Sequence, residues 1–235
     1  MSVILHAALP PAQSGAPRLP GTMPCDAKDW LRVDEAYGAQ MAYRAQLLAD
    51  RPEAVLYEND TTRQTAGEVL QEALLVLPDL GFSVADDHVI CPDGRRVLID
   101  QAGPLRTLGH LVQEDICVLE KRGDEHVMTS AVLCFPANWR LAEKINRPLT
   151  GIHEPVAEYD PNIARRVQRL FDGVQVGRPL WRFNKLFYAD PDLHQPHRQA
   201  ITDDMRFVRS ERQCILRMPR TQAVIFTIHS FVVCA

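Results

Sequence analysis

The side chains of this sequence with chemistry to offer are eight histidines, six cysteines and a few carboxylates set inside apolar runs. Glu114 and Asp115 stand in LVQEDICVL, and Glu211 stands in RFVRSERQCILRM. A carboxylate carried into a core needs a cation or hydrogen-bond donors beside it. Arg209 and Arg212 flank Glu211 and offer that pairing. His194 and His197 in DLHQPH have a spacing that could serve a metal, although a proline-rich polar loop is the usual mark of a solvated excursion. His88 and His126 open strand-like runs and are expected at the surface, while His6 falls in an N-terminal arm. Cys25, Cys91, Cys117, Cys134, Cys214 and Cys234 contain no C-x-x-C pair, and most lie in apolar runs where a reduced thiol acts as a small hydrophobe. No Ser/His/Asp order, phosphate-binding loop or H-E-x-x-H motif is present, which leaves hydrolase readings without support.

The elements that must position these groups follow from composition and periodicity. The 235 residues are 46% hydrophobic and 24% charged, as in an ordinary soluble globular protein long enough to bury its own core. A net charge of −4 with interspersed signs gives no basic face for nucleic acid, and no apolar run is long enough to span a bilayer. Residues 1–24 hold five prolines and no basic leader region, so an extended arm and a cytoplasmic location are expected. Tyr37, Met41, Arg44, Leu47 and Leu48 have helical spacing, with Asp34 as N-cap and Arg51-Pro52 as stop. A second helix is expected over 62–77, ended by Pro78. HVICP and RRVLID around Asp93-Gly94 read as a small hairpin.

From 111 onward the pattern is two strands, then helices, then three strands. VQEDICVLEK and HVMTSAVLCF alternate around an RGDE turn. NWRLAEK, the stretch 149–154 and a segment opening at Asp160-Pro161 read as helices. In the last of these Arg165, Arg166 and Arg169 lie on the exposed face, opposite Val167, Leu170 and Phe171. PLWRFNKLFY, RFVRSERQCILRM and QAVIFTIHSFVV are the closing strands. The expected class is α+β. The expected architecture is a PAS-like antiparallel five-stranded sheet with helices inserted between its second and third strands, plus an N-terminal helical pair and small hairpin. The corresponding divisions are an arm at 1–24, a helical pair and hairpin at 25–110, and the PAS-like core at 111–235, forming one continuous globular unit.

LVQEDICVL at 111–119, CFPANWRLAEKINRPLTGIHEPV at 134–156 and the two closing strands, carrying RSERQCILRMPRT and AVIFTIHSF, resemble the haem-dependent oxidative N-demethylase α-subunit family. The likeness extends upstream through DWLRVDEAYGAQMAYRAQLLAD, to about residue 20. It implies a PAS-type haem b protein that uses O2 to remove a methyl group from a small secondary amine such as dimethylamine, releasing formaldehyde. Electrons would come from NADPH through a separate flavin and iron-sulfur reductase subunit. The lack of an iron-sulfur cysteine cluster and of a G-x-G-x-x-G loop here fits that division of labour. A non-enzymatic PAS-like module that senses haem or a small ligand is the alternative.

Within this resemblance His153, in GIHEPV, is the expected axial ligand of the haem iron. His110, before the QED strand, and His229, on the last strand, are the other candidates. Lys144, Arg147 and Arg182 are the expected partners of the haem propionates. Trp139, Trp181, Phe187 and Phe226 could wall the group. Glu114 or Glu211 would bind a protonated amine or relay protons. Two positions depart from the family pattern. Lys185 follows Asn184 where tryptophan is expected, and His229 replaces a common arginine; both are expected to border the pocket.

Overall fold

The computed structural model describes residues 3–17, 21–153, 161–198 and 204–235. Its chain alternates helices and strands as α1 (Tyr37–Asp50), α2 (Pro52–Val55), α3 (Arg63–Val76), α4 (Pro104–Leu111), α5 (Leu141–Lys144), α6 (Leu149–His153) and α7 (Pro161–Gly173) around two antiparallel sheets. The large sheet has seven strands: β1 (Met23–Pro24), β2 (Leu56–Tyr57), β6 (Asp115–Arg122), β7 (Glu125–Val132), β8 (Leu180–Tyr188), β9 (Phe207–Arg217) and β10 (Val224–Cys234). Their order across the sheet is β1-β8-β9-β10-β6-β7-β2. The class is α+β, as the sequence pattern indicates.

The five long strands arise where β-branched and aromatic residues alternate with polar ones, and each side of the sheet buries its own set. Ile116, Val118, Cys214, Leu216 and Ile225 pack with Trp30, Leu31, Met41, Leu70 and Leu108 of the N-terminal half. Cys117, Leu119, Ile215, Val224 and Ile228 pack with Leu141, Leu149, Ile152 and Phe171 of α5–α7. The sheet is therefore a partition between two cores, consistent with the period-2 geometry of a strand. On α7, Arg165, Arg166 and Arg169 are exposed, while Val167, Leu170 and Phe171 face the sheet.

Several local expectations change. The small hairpin is a three-stranded sheet, because β3 (Ser83–Val84) adds to β4 (His88–Ile90) and β5 (Arg96–Leu98). Gly94 of its turn has φ 83°, the left-handed conformation that the Asp-Gly signal implies. Helix α4 was not foreseen, since it is one short stretch with Gly109 inside. A Cβ on Gly109 would lie 2.9 Å from Leu48 Cδ1 and Val132 Cγ2, so packing between α1 and β7 selects glycine against helix propensity. Asp34 does not cap α1: Ala36 holds that position, and one Asp34 oxygen accepts from the Ala36 N–H at 2.9 Å. The N-cap expected at Asp160 lies outside the described residues. The arm is not loose where described: His6 and Gln13 are buried, and β1 pairs with β8.

Candidate functional site

On the α5–α7 side of the sheet the alternation of β8 and β9 lines up polar groups. Arg182 stands opposite Gln213, and Asn184 opposite Glu211. Residues directly paired across strands share a face, so these four side chains project together beyond the apolar pair Leu180 and Ile215. Glu211 is 4% exposed. Its Oε1 lies 3.1 Å from Arg209 Nη2, and its Oε2 accepts from Asn184 Nδ2 at 2.8 Å and Gln213 Nε2 at 3.1 Å. Arg209 also donates to the Leu193 and Phe135 carbonyls and to Ser230 Oγ.

Two further cations approach the same carboxylate. Lys144 ends α5 with its ammonium 4.5 Å from the Trp139 ring centroid, a cation-π contact. Burial pushes its pKa down, against an opposing pull from Cys117, Glu143 and Glu211. Burial likewise lowers Arg182, against an opposing pull from Glu211. The Nε of Arg182 is buried without a hydrogen-bond partner among the described residues. Lys144, Arg182 and Arg209 thus gather around Glu211, while Glu143 is engaged by Arg140. Among the described residues positive charge exceeds negative charge in a desolvated setting, and such a setting favours an anionic guest.

On the opposite side of the sheet the charges are closed into pairs. His229, 1% exposed, lies 2.8 Å from Glu114 through Nδ1 and 2.9 Å from Asp34 through Nε2. His6 Nε2 reaches the same Asp34 oxygen at 2.9 Å. Burial opposes a charge on His229, but Glu114 and Asp34 outweigh it and raise the pKa to about 9. Burial would raise Asp34, yet its bonds with His229 and His6 hold it well below the usual carboxylate range. Gln113 joins the group by donating to Asp34 at 2.8 Å and to Gln40 at 3.0 Å. Arg44 closes a neighbouring pair with Asp115 at 2.7 Å, both fully buried.

The structure therefore separates the residues proposed from sequence. Lys144, Arg182 and Glu211 come together; Glu114 does not join them, because it faces the N-terminal half and binds His229 and the Arg32 N–H. Arg147 is exposed at the β7 end, its carbonyl accepting from Met128 N. His153 closes α6 beside these elements, and its side chain lies outside the described residues. His110 is not on the sheet: it ends α4, near Arg95 and Arg106. His126 is buried rather than at the surface, 2.9 Å from Gln168. His194 binds the Cys134 carbonyl. Among the described residues no group of three or more His, Cys, Asp or Glu is arranged to hold a metal ion.

The two departures are also relocated. Lys185 donates to the Ser14 carbonyl at 2.5 Å, and His229 sits between Asp34 and Glu114, so both lie away from Lys144 and Arg182. Arg212, one of the two arginines expected to pair with Glu211, instead reaches Asp29 at 2.9 Å. Asn184 and Gln213 were not singled out as holding Glu211. Their signal was present in the R-x-N spacing of β8 and in the period-2 register of β9. Trp181 belongs to the other face, opposite Cys214 and under Arg212, and Phe187 is exposed.

No helix among the described residues is long and apolar enough to cross a membrane. A family model described as haem-dependent oxidative N-demethylase, alpha subunit-like, matches residues 21–234. The chain belongs to that family, whose name carries haem dependence and implies a partner subunit.

Proposed function

We propose, from that membership, that this chain is the haem-carrying subunit of an oxidative N-demethylase. Its reaction would remove a methyl group from a small secondary amine such as dimethylamine. One oxygen atom of O2 leaves in formaldehyde and the other in water, with two electrons and two protons supplied. The electrons would originate from NADPH and pass through a separate flavin and iron-sulfur reductase. We read 111–235 as the haem b-binding core, with 25–110 packed on it. The strand order β7-β6-β10-β9-β8, with α5–α7 between β7 and β8, supports a PAS-type arrangement.

The observation that carries the proposal is the excess of cations around Glu211 among the described residues. Arg182, with its unpartnered Nε, and Lys144, held over Trp139, would engage the propionates of haem. Arg147 is assigned a peripheral part in that binding from its place between α5 and α6. His153, at the end of α6, is the proposed axial ligand. The chemistry that haem supplies when bound is reductive activation of O2. Glu211 is a buried carboxylate of this face, and its two oxygens are already engaged by Arg209, Asn184 and Gln213. Its proposed work is to fix the guanidinium and ammonium groups and to hand on protons along the Asn184–Gln213 side, with direct amine binding requiring one of those bonds to open. Glu114 is withdrawn from that role.

Protein expressed with ample haem supply should show a Soret band on purification, and His153→Ala should lose the normally ligated form. Absence of the band, or full correct ligation in His153→Ala, overturns the cofactor or the ligand respectively. Turnover of dimethylamine with NADPH and a reductase separates the enzyme from a non-catalytic haem or small-ligand module.

A further inference from the structure

Strand β8 ends on Tyr188, which the register places opposite Phe207 and on the same face as Arg182 and Asn184. Leu186, one step back on that face, stands opposite Arg209, so Tyr188 and Arg209 are diagonal neighbours. Arg209 in turn anchors two loops. It donates to the Phe135 and Pro136 carbonyls on one and to the Leu193 carbonyl at 2.8 Å on the other. The loops also hold each other, since Gln195 N donates to the Pro136 carbonyl at 3.1 Å and Asn138 N to the Gln195 carbonyl at 2.7 Å. Asn138 is thereby fixed between Pro136, which is bound to Arg209, and Trp139, whose ring carries the Lys144 ammonium.

Both residues bring an unused polar atom into this setting. Tyr188 is 3% exposed, and its phenol oxygen has no hydrogen-bond partner among the described residues. Asn138 takes φ 67°, a left-handed conformation that asparagine tolerates better than most residues, and its Oδ1 is likewise buried and unpartnered. The idle guanidinium nitrogens of Arg44 and Arg212 on the other face are a different case, because those side chains bond elsewhere through their remaining N–H groups. Tyr188 has a single side-chain polar atom, and the fold does not use it. A buried hydroxyl left unbonded destabilises the folded state, so its retention calls for a partner. Burial pushes the phenol up to about 12, which keeps it a protonated donor. Asn138 stands near enough to favour the ionised phenol, although no hydrogen bond joins the two.

We infer, resting on the N-demethylase reading above, that Tyr188 and Asn138 select the secondary amine and hold it in its uncharged form. The Tyr188 O–H donates to the nitrogen lone pair, and Asn138 Oδ1 accepts the single N–H. A free-base secondary amine offers both functions on one atom. The ammonium form has no lone pair, so it leaves the phenol unbonded, and it would enter beside the Arg209 guanidinium. The charged groups around the two residues are Arg209 and Glu211 from β9, Arg182 from β8 and Lys144 from α5. Both Glu211 oxygens are engaged by Arg209, Asn184 and Gln213. In the adjoining loop Asp192 accepts from the Tyr43 hydroxyl at 2.8 Å, and His194 is bound to the Cys134 carbonyl. The amine is therefore recognised by a neutral donor and acceptor rather than by a carboxylate.

The test titrates the full chain, purified with ample haem supply, with dimethylamine between about pH 7 and pH 9. Binding is read twice, from the shift of the Soret band and, without reference to haem, from saturation-transfer NMR on the amine methyl groups. Apparent affinity should rise about tenfold per pH unit, following the free-base fraction of the amine. Tyr188→Phe should lower that affinity about tenfold while leaving unfolding stability and hemin binding at wild-type levels, because it removes a hydroxyl that bonds nothing within the fold. Asn138→Asp keeps an acceptor at a left-handed position and adds a charge, so it should bind the ammonium form and lose the pH slope. Amine binding that is absent, flat with pH in the wild type or indifferent to Tyr188→Phe overturns the inference, as does a Tyr188→Phe protein that is clearly destabilised. A normal Soret band alongside any of those results leaves the haem reading intact. Amine binding seen by NMR and weakened by Tyr188→Phe in a protein with no Soret band sinks the haem reading and keeps the inference.

Discussion

The two faces of the central sheet handle charge in opposite ways. On the N-terminal side His229 is held by Glu114 and Asp34, Arg44 by Asp115, and Arg212 by Asp29. On the α5–α7 side Lys144, Arg182 and Arg209 share Glu211, three cations to one buried carboxylate among the described residues. A closed ion pair mainly protects itself, since removing one member strands the other in a poor solvent. An open set of cations is costly to fold around and is retained where something binds. The first face is scaffold by this criterion, and the second is the proposed site.

The largest effect should come from breaking the closed side. His229→Ala leaves two carboxylates facing each other in the interior, and a loss of about 3–5 kcal/mol is expected in denaturant unfolding. A loss below about 1 kcal/mol would remove the contrast between the faces. Next in size is the pH dependence of stability. His229 has a folded pKa of about 9, above its unfolded value of about 6.5. Its contribution, on the order of 3 kcal/mol, is therefore fully present below pH ~6.5 and fades as pH rises toward 9. Asp34 has a lowered pKa, so its contribution is present above pH ~4 and fades on acidification. Chemical denaturation across pH 4–10 should show a decline on the alkaline side that His229→Ala lacks.

The open side should respond in the reverse sense. Arg182→Met is expected to leave unfolding stability unchanged or slightly raised, while weakening haem binding about tenfold, or ~1.4 kcal/mol. Titrating hemin into the apoprotein reads the second number, and denaturant unfolding reads the first. The smallest effect is expected at Lys185, whose bond to the Ser14 carbonyl is exposed. Lys185→Trp should change stability by no more than about 0.5 kcal/mol and leave the haem spectrum unmoved.

Most of the frame is legible in the sequence. The Asp93-Gly94 turn, the proline stops and the period-2 runs give the helices and strands to within a few residues. What escaped depended on long-range packing. Helix α4 hides because Gly109 is chosen by Leu48 and Val132 across the core rather than by its neighbours in sequence. The buried role of His6 escaped because its partners, Asp34 and the Val232 carbonyl, come from distant parts of the chain. The site was half legible. Lys144, Arg182 and Glu211 were named and do converge. Glu114 was named alongside Glu211 although β6 turns it to the other face, a distinction that strand register makes and composition does not.

The assignment of the site to the α5–α7 face is tested most directly by hemin titration followed at the Soret band. The comparison is of the wild-type chain, the Lys144→Met/Arg182→Met double variant and Glu114→Gln. The prediction is stoichiometric binding by the wild type, binding by whatever fraction of Glu114→Gln remains folded, and strongly weakened binding by a double variant that is itself fully folded. Unchanged binding in the folded double variant, or no Soret band in any of the three, would contradict it.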